Sequence, residues 1–216
     1  MTRYLDACNG DSRKAMTLYR YNLQLSQKMF TVVGCFEVAL RNAIDRHISS
    51  GPLGDNWLRD AVMPGGIFDV ASIRDSRRII KSTYERINQN GGYTKEGLIS
   101  QLEFGVWKYM FAKPQFKATG SSLLKIFPNK PKSSAITQYN NTYFFNELDG
   151  VNNLRNRIAH HEPVCFAQYT TAVDTTYITR LYYKIKELLT WMDIDSESFL
   201  YGLDQVESVC NKINSL

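Results

Sequence analysis

From Leu25 to His47 the inward positions recur every three or four residues: Leu25, Met29, Val32, Phe36, Leu40, Ala43 and His47. That spacing is one face of an α-helix and cannot be a strand, whose sides alternate every second residue. The pattern returns at Ile136, Tyr139, Tyr143, Leu148, Val151, Leu154 and Ile158, and again at Val173, Tyr177, Leu181, Ile185, Leu188 and Met192. No stretch shows β-alternation, and the only repeat is a Leu-Arg-Asn tripeptide that occurs twice. The chain reads as an all-α bundle.

Start and stop signals divide it further. Asp11-Ser12 opens a helix over 11–23, and Ser26 caps a second that runs to about Ile48 and stops at Gly51-Pro52. Asp69 caps a third to about Gln89, closed by Gly91-Gly92. Thr94 starts a fourth that reaches Phe111 before Pro114. A long helix is expected from about Ser134 to His160, another over 168–191, and a last one capped by Asp195 or Ser196. Between them, residues 112–135 form a loop-rich insertion in a single domain of residues 1–216. Lys113, Lys117, Lys125, Lys130 and Lys132 lie there with Phe116, Phe127 and no acid, a candidate RNA-guiding patch. The arginines of the helix opened by Asp69 are a comparable one.

Chemistry concentrates in ten residues, Leu154-Arg155-Asn156-Arg157-Ile158-Ala159-His160-His161-Glu162-Pro163. Pro163 biases Glu162 away from helical geometry, so the segment closes a helix. At about 100° per residue, Asn156 and His160 share a face nearly opposite the apolar stripe, and Arg155 lies at the stripe's edge. His161 falls within reach of the same spacing but faces about 100° away.

Arg155-Asn156-x-x-x-His160 resembles the R-x4-6-H motif of HEPN ribonucleases. The string LRNRIAHHEP is similar to the C-terminal motif of their abortive-infection branch (Abi-like, AbiD/AbiF-type). FEVALRNAIDRH, Phe36 to His47, resembles that branch's N-terminal E-x-x-L-R-N segment, and LEFGVWKYMF, Leu102 to Phe111, its central aromatic one. The resemblance implies a HEPN-like bundle with additional helices. It also implies a metal-independent endoribonuclease whose composite site forms at a homodimer interface, in phage defence or toxin-like growth arrest. A neutralising antitoxin, protein or RNA, would then be a partner. Arg155, Asn156 and His160 take the catalytic positions. His161, Arg157, Glu37, Arg41 and Asn42 are auxiliary or substrate-binding. The alternative is a non-catalytic helical module of the same fold that binds RNA or protein.

The residue types suit that chemistry. Histidine titrates near neutrality and can take a proton from a ribose 2′-hydroxyl or return one to the departing 5′-oxygen. Arginine holds a phosphate in bidentate geometry. A helix C-terminus presents carbonyl oxygens, so cationic side chains must supply the whole anion site. One Arg and one His are few for that, and two motifs paired across a symmetric dimer double both. With the 2′-hydroxyl as nucleophile, the products carry a 2′,3′-cyclic phosphate and a 5′-hydroxyl, and DNA is not cut. Arg41 to His47 also fits the spacing, but His47 falls inside the apolar stripe and reads as a satisfied core or interface histidine. Glu37 either pairs with Arg41 four residues on or reaches Arg155 and orients it.

Composition narrows the remainder. A formal charge of +5 and a pI near 8.9 tilt the chain toward anionic partners. Cys8, Cys35, Cys165 and Cys210 are scattered, as expected of reduced thiols in a cytoplasmic protein. No cofactor is expected. There is no metal-ligand spacing, no glycine-rich phosphate loop, no apolar leader and no apolar run long enough for a membrane.

Overall fold

A computed structural model describes residues 1–216. It contains α1 (Thr2–Ala7), α2 (Ser12–Ser49), α3 (Trp57–Val62), α4 (Arg74–Gln89), α5 (Lys95–Gln101) and α6 (Phe104–Tyr109). There follow α7 (Lys113–Ala118), α8 (Asn141–Ala159), α9 (Thr176–Trp191), α10 (Ser196–Phe199) and α11 (Val206–Asn214). Single 3₁₀ turns occur at Ala71–Ile73 and Leu123–Ile126. There is no strand, only an isolated bridge joining Phe166 and Val173. The fold is all-α, as the periodicity predicts.

The chain divides into two compact units, Met1–Phe36 with Gly150–Leu216, and Glu37–Asp149. The divisions fall inside α2 and α8.

In the first unit the expected pair of helices over 11–23 and 26–48 is one helix, α2. No Gly-Pro break separates them, and Ala15, Leu18, Leu25 and Met29 keep one buried face through Ser26. Asn22, only 3% exposed, interrupts that face. Its Oδ1 accepts from the backbone N–H of Val164 (2.8 Å) and of Cys165 (3.1 Å), so the amide ties the segment after α8 to α2. Val151, Leu154 and Ile158 of α8, Leu181 and Ile185 of α9, and Val209 and Ile213 of α11 complete the core.

Two further readings are corrected in this unit. The helix expected over 168–191 starts only at Thr176, after a loop in which Asp174 Oδ1 accepts from Thr176 N–H (2.8 Å). Asp195 does cap a helix, accepting from Glu197 N–H (3.1 Å), but α10 is a single turn. Gly202, at φ 75°, redirects the chain before α11. One long final helix would have required a non-glycine-like backbone there.

In the second unit, Trp57, Phe68, Phe104, Trp107, Phe111, Phe127 and Phe144 are fully buried, with the Phe127 and Phe144 rings stacked at 4.2 Å. The inward residues of α2 here are Leu40, Ile44 and Ile48 rather than Ala43 and His47, a rotation of about 100°. Asp69 does not cap α4. It accepts from Gly65 N–H (2.9 Å) and pairs with Arg77, and the 3₁₀ turn leads into the helix instead. Gly66 permits that turn, since a Cβ there would lie 2.2 Å from the Asp60 carbonyl oxygen.

Thr94 caps α5 as expected, its Oγ1 accepting from Gly97 N–H (3.0 Å). The helix then breaks, because Leu102 and Glu103 are extended. Leu98, Ile99, Leu102, Phe104, Val106, Trp107, Met110 and Phe111 are all buried, too broad a set for one face of one helix. Residues 112–135 are more built than a loop. Pro114 sits in the first turn of α7, where its missing N–H costs nothing, and Gln115, Leu123, Ile126 and Phe127 are buried. The helix expected from Ser134 begins at Asn141. Asn140 Oδ1 caps it by accepting from Tyr143 N–H (3.0 Å), Ile136 is 97% exposed, and Phe144 rather than Tyr143 is the fully buried residue.

Candidate functional site

The last turn of α8 closes with two crossed bonds. His161 N–H donates to the Ile158 carbonyl (3.0 Å) and Glu162 N–H to the Arg157 carbonyl (2.8 Å). This helix ending needs a left-handed residue one place past the cap, usually glycine. Here that residue is His161, at φ 57°. The sharp exit lets Arg157 fold over the next segment. Its Nη2 donates to the Pro163 carbonyl (2.7 Å), and its Nε lies 3.6 Å from Glu162 Oε2. Arg157 therefore braces the turn.

His160 N–H makes the final helical bond, to the Asn156 carbonyl (2.9 Å). Four residues apart, the two side chains line one open cleft of about 750 Å³ in the first unit. Arg3, Asn153, Asp174 and Tyr177 line it too. Arg3 donates to the carbonyls of Thr170 (2.7 Å) and Ala167 (3.0 Å), and its guanidinium lies over the Phe166 ring at 4.4 Å. The periodicity that singled out Asn156 and His160 carries no signal for Arg3 or Asp174, and it set Tyr177 on an inward stripe although that residue is 37% exposed. The three arrive from α1, from the loop before α9 and from α9 itself.

Arg155 and His161 do not line this cleft. Arg155 is half-buried, with Nη1 3.5 Å from Asn156 Oδ1, the limit of a hydrogen bond. His161 is exposed. Of the expected site residues, the cleft of one chain gathers Asn156, His160 and Arg157, and the last of these is already engaged.

Glu37, Arg41 and Asn42 lie on the stretch of α2 that belongs to the second unit. Asn42 is exposed, Glu37 is half-buried, and the Arg41 Nε is buried without a hydrogen-bond partner. His47 Nε2 lies 2.8 Å from Ser122 Oγ. Burial, aided by Lys125, holds its pKa below the ordinary histidine value. It is a satisfied, half-buried histidine.

Cys165, two residues past Pro163, is fully buried. Burial pushes its thiol up to about 12, so it carries no thiolate at neutral pH and offers no nucleophile beside the motif. No group of three or more His, Cys, Asp or Glu side chains gathers to hold a metal ion. No helix is long and apolar enough to cross a membrane.

A family model described as Abi-like protein matches residues 4–165, from within α1 through the end of the motif segment. No curated protein matches the chain. No solved structure matches it either.

Proposed function

The chain belongs to the Abi-like protein family, and from that premise we propose that it is a metal-independent endoribonuclease of the HEPN type, of the AbiD/AbiF kind, acting in abortive infection or toxin-like growth arrest. The observation that carries the reading is that Asn156 and the exposed His160, one helical turn apart on α8, line one open cleft of about 750 Å³.

His160 acts as the acid–base group. It takes the proton of a ribose 2′-hydroxyl as that oxygen attacks the adjacent phosphate, or supplies the proton that the 5′-oxygen needs to leave. Asn156 positions the phosphate or ribose by hydrogen bonds, and Arg155 offsets the charge that builds on phosphorus. Within one chain, Arg157 and Arg3 are committed to backbone carbonyls, and α8 turns its carbonyl end to the site. That shortage of free cations supports a homodimer in which two motifs, with two copies of His160 and Arg155, make one site. His161, Glu37, Arg41 and Asn42 are then auxiliary or substrate-contacting. A protein or RNA antitoxin would act by covering that composite site in the cytoplasm.

The same shortage is what favours the second reading, a helical module that binds RNA or protein without cutting. RNA digestion separates the two. The purified chain should cleave RNA in EDTA, leave DNA intact, and release 2′,3′-cyclic phosphate and 5′-hydroxyl ends. A 2′-deoxy substitution at the cleaved position should block the cut. His160→Ala should lower the rate by roughly 10²–10⁴, the usual share of an acid–base group. Its melting temperature should stay unchanged, because the side chain is exposed. Cleavage at the wild-type rate by His160→Ala would remove His160 from the mechanism, and RNA binding with no cleavage by the wild type would leave the binding module as the function.

A further inference from the structure

Away from the motif, the second unit holds a cleft of about 610 Å³, within the usual range of small-ligand sites. Ile79 of α4 and Val106 and Tyr109 of α6 line it with apolar surface, and both Ile79 and Tyr109 are exposed. Gln115 of α7 also lines it and is 4% exposed. Its Nε2 donates to Ser76 Oγ (2.9 Å), but its Oε1 is buried and has no hydrogen-bond partner. Buried amide oxygens are rarely left so, because they give up hydration and gain nothing in return. Thr83 does not fill the need, since its hydroxyl donates to the Ile79 carbonyl (2.9 Å). The charges of the lining balance, Arg74 and Arg86 against Asp75 and Glu103, so nothing there demands an ion.

Apolar walls over a polar amide suit a flat ring that carries its hydrogen-bonding groups on one edge. Gln115 presents a free acceptor in Oε1 and, beside it, the second N–H of Nε2, since only one is used on Ser76. The complement is an amine next to an unprotonated ring nitrogen. We propose that this cleft binds a nucleobase of the adenine or cytosine type. The amine donates to Gln115 Oε1, the ring nitrogen accepts from Nε2, and Tyr109 lies against the face of the ring. A glutamine amide pairs with adenine in the same way in nucleic-acid readout. Hypoxanthine and uracil would instead set a carbonyl oxygen against Oε1. The cleft lies wholly in the second unit, and the inference stands whether or not His160 cleaves RNA.

The intact chain is titrated with adenosine, cytidine, inosine and uridine, following heat release and the side-chain amide resonances of Gln115. Adenosine or cytidine should saturate and move those resonances. Inosine and uridine should bind at least about tenfold more weakly, the scale of one mismatched bidentate pair. Gln115→Met should erase the preference. Tyr109→Ala, at a partly exposed position and with its melting curve recorded alongside, should weaken adenosine and cytidine binding even if the Gln115 variant does not fold. A 2′-O-methyl hexaadenylate, which a 2′-hydroxyl mechanism cannot cut, distinguishes the source of the base. Tighter binding than adenosine, with adenosine competing, assigns the base to an RNA strand. Adenosine binding with the oligonucleotide excluded assigns it to a free nucleoside or nucleotide. No saturable binding of adenosine, cytidine or the oligonucleotide, equal binding of inosine, or unmoved Gln115 resonances would overturn the proposal.

Discussion

His160 and Asn156 show what single residues reveal before any fold is known. A spacing of four put them on one helical face, and they do line one cleft. Arg157 was equally visible as a cation, yet its partner, the Pro163 carbonyl, exists only because the helix ends one residue before a left-handed turn. Asn22 was invisible. It stands in an apolar stripe as a polar exception, and its two backbone partners lie more than 140 positions away in sequence. Local periodicity reports which way a side chain faces, and long-range pairing decides what it meets there. His47 combines both, facing partly inward and meeting Ser122. Its folded-state pKa lies below the ordinary value near 6.5, so the unfolded chain binds the proton more readily. The stability linked to His47 is therefore complete above that value and is lost as pH falls through it. The melting temperature should drop between pH 7.5 and pH 5.5, and His47→Gln should flatten the drop.

At the scale of elements, the long helices were legible, but their boundaries and the short helices α1, α3 and α7 were not. One buried face of α2, polar only at Asn22, continues through Ser26, and a good capping residue within a continuous helix caps nothing. The opposite error fell on α5 and α6, where aromatic residues buried on all sides gave no warning that the chain turns between them at Leu102 and Glu103. The end of α8 was placed correctly by Pro163, but nothing in the pattern disclosed that His161 would take the left-handed position. That backbone costs a non-glycine residue about 1–2 kcal/mol. Glycine recovers it, less the greater freedom it gives the unfolded chain, for a net gain of about 0.5–1 kcal/mol. His161→Gly should raise the melting temperature by about 2 °C on that footing. If the chain cleaves RNA as proposed, with His160 alone as the acid–base group, the variant cleaves it too. A His161→Gly chain that melts lower, or cuts no RNA, would give the second histidine a larger part.

For the molecule as a whole, the fold class followed directly from period and composition, but the division into two units did not. Both divisions fall inside helices, where no change of composition or loop marks them. The family match stops at residue 165, yet α9 and α11 beyond it contribute Leu181, Ile185, Val209 and Ile213 to the core of the first unit. Tyr177 also donates to the Gly150 carbonyl on α8 (3.4 Å). A chain truncated after Thr175 should lose cooperative melting, checked by circular dichroism. If the unit that carries Asn156 and His160 melts as before, α9 to α11 are an appendage.

The same discontinuity sets an order of events on the ribosome. Met1–Phe36 is made before Glu37–Asp149 and waits for its other half, while Glu37–Asp149 is an uninterrupted stretch, complete before Gly150 is added. The motif segment is translated ahead of α9 and α11, which it folds with, so at roughly 5–20 residues per second the site becomes whole only some seconds after His160 itself is made. A nascent chain stalled anywhere in the second unit would carry neither Asn156 nor His160. If the chain acts in growth arrest as proposed, unfinished copies would be harmless by construction.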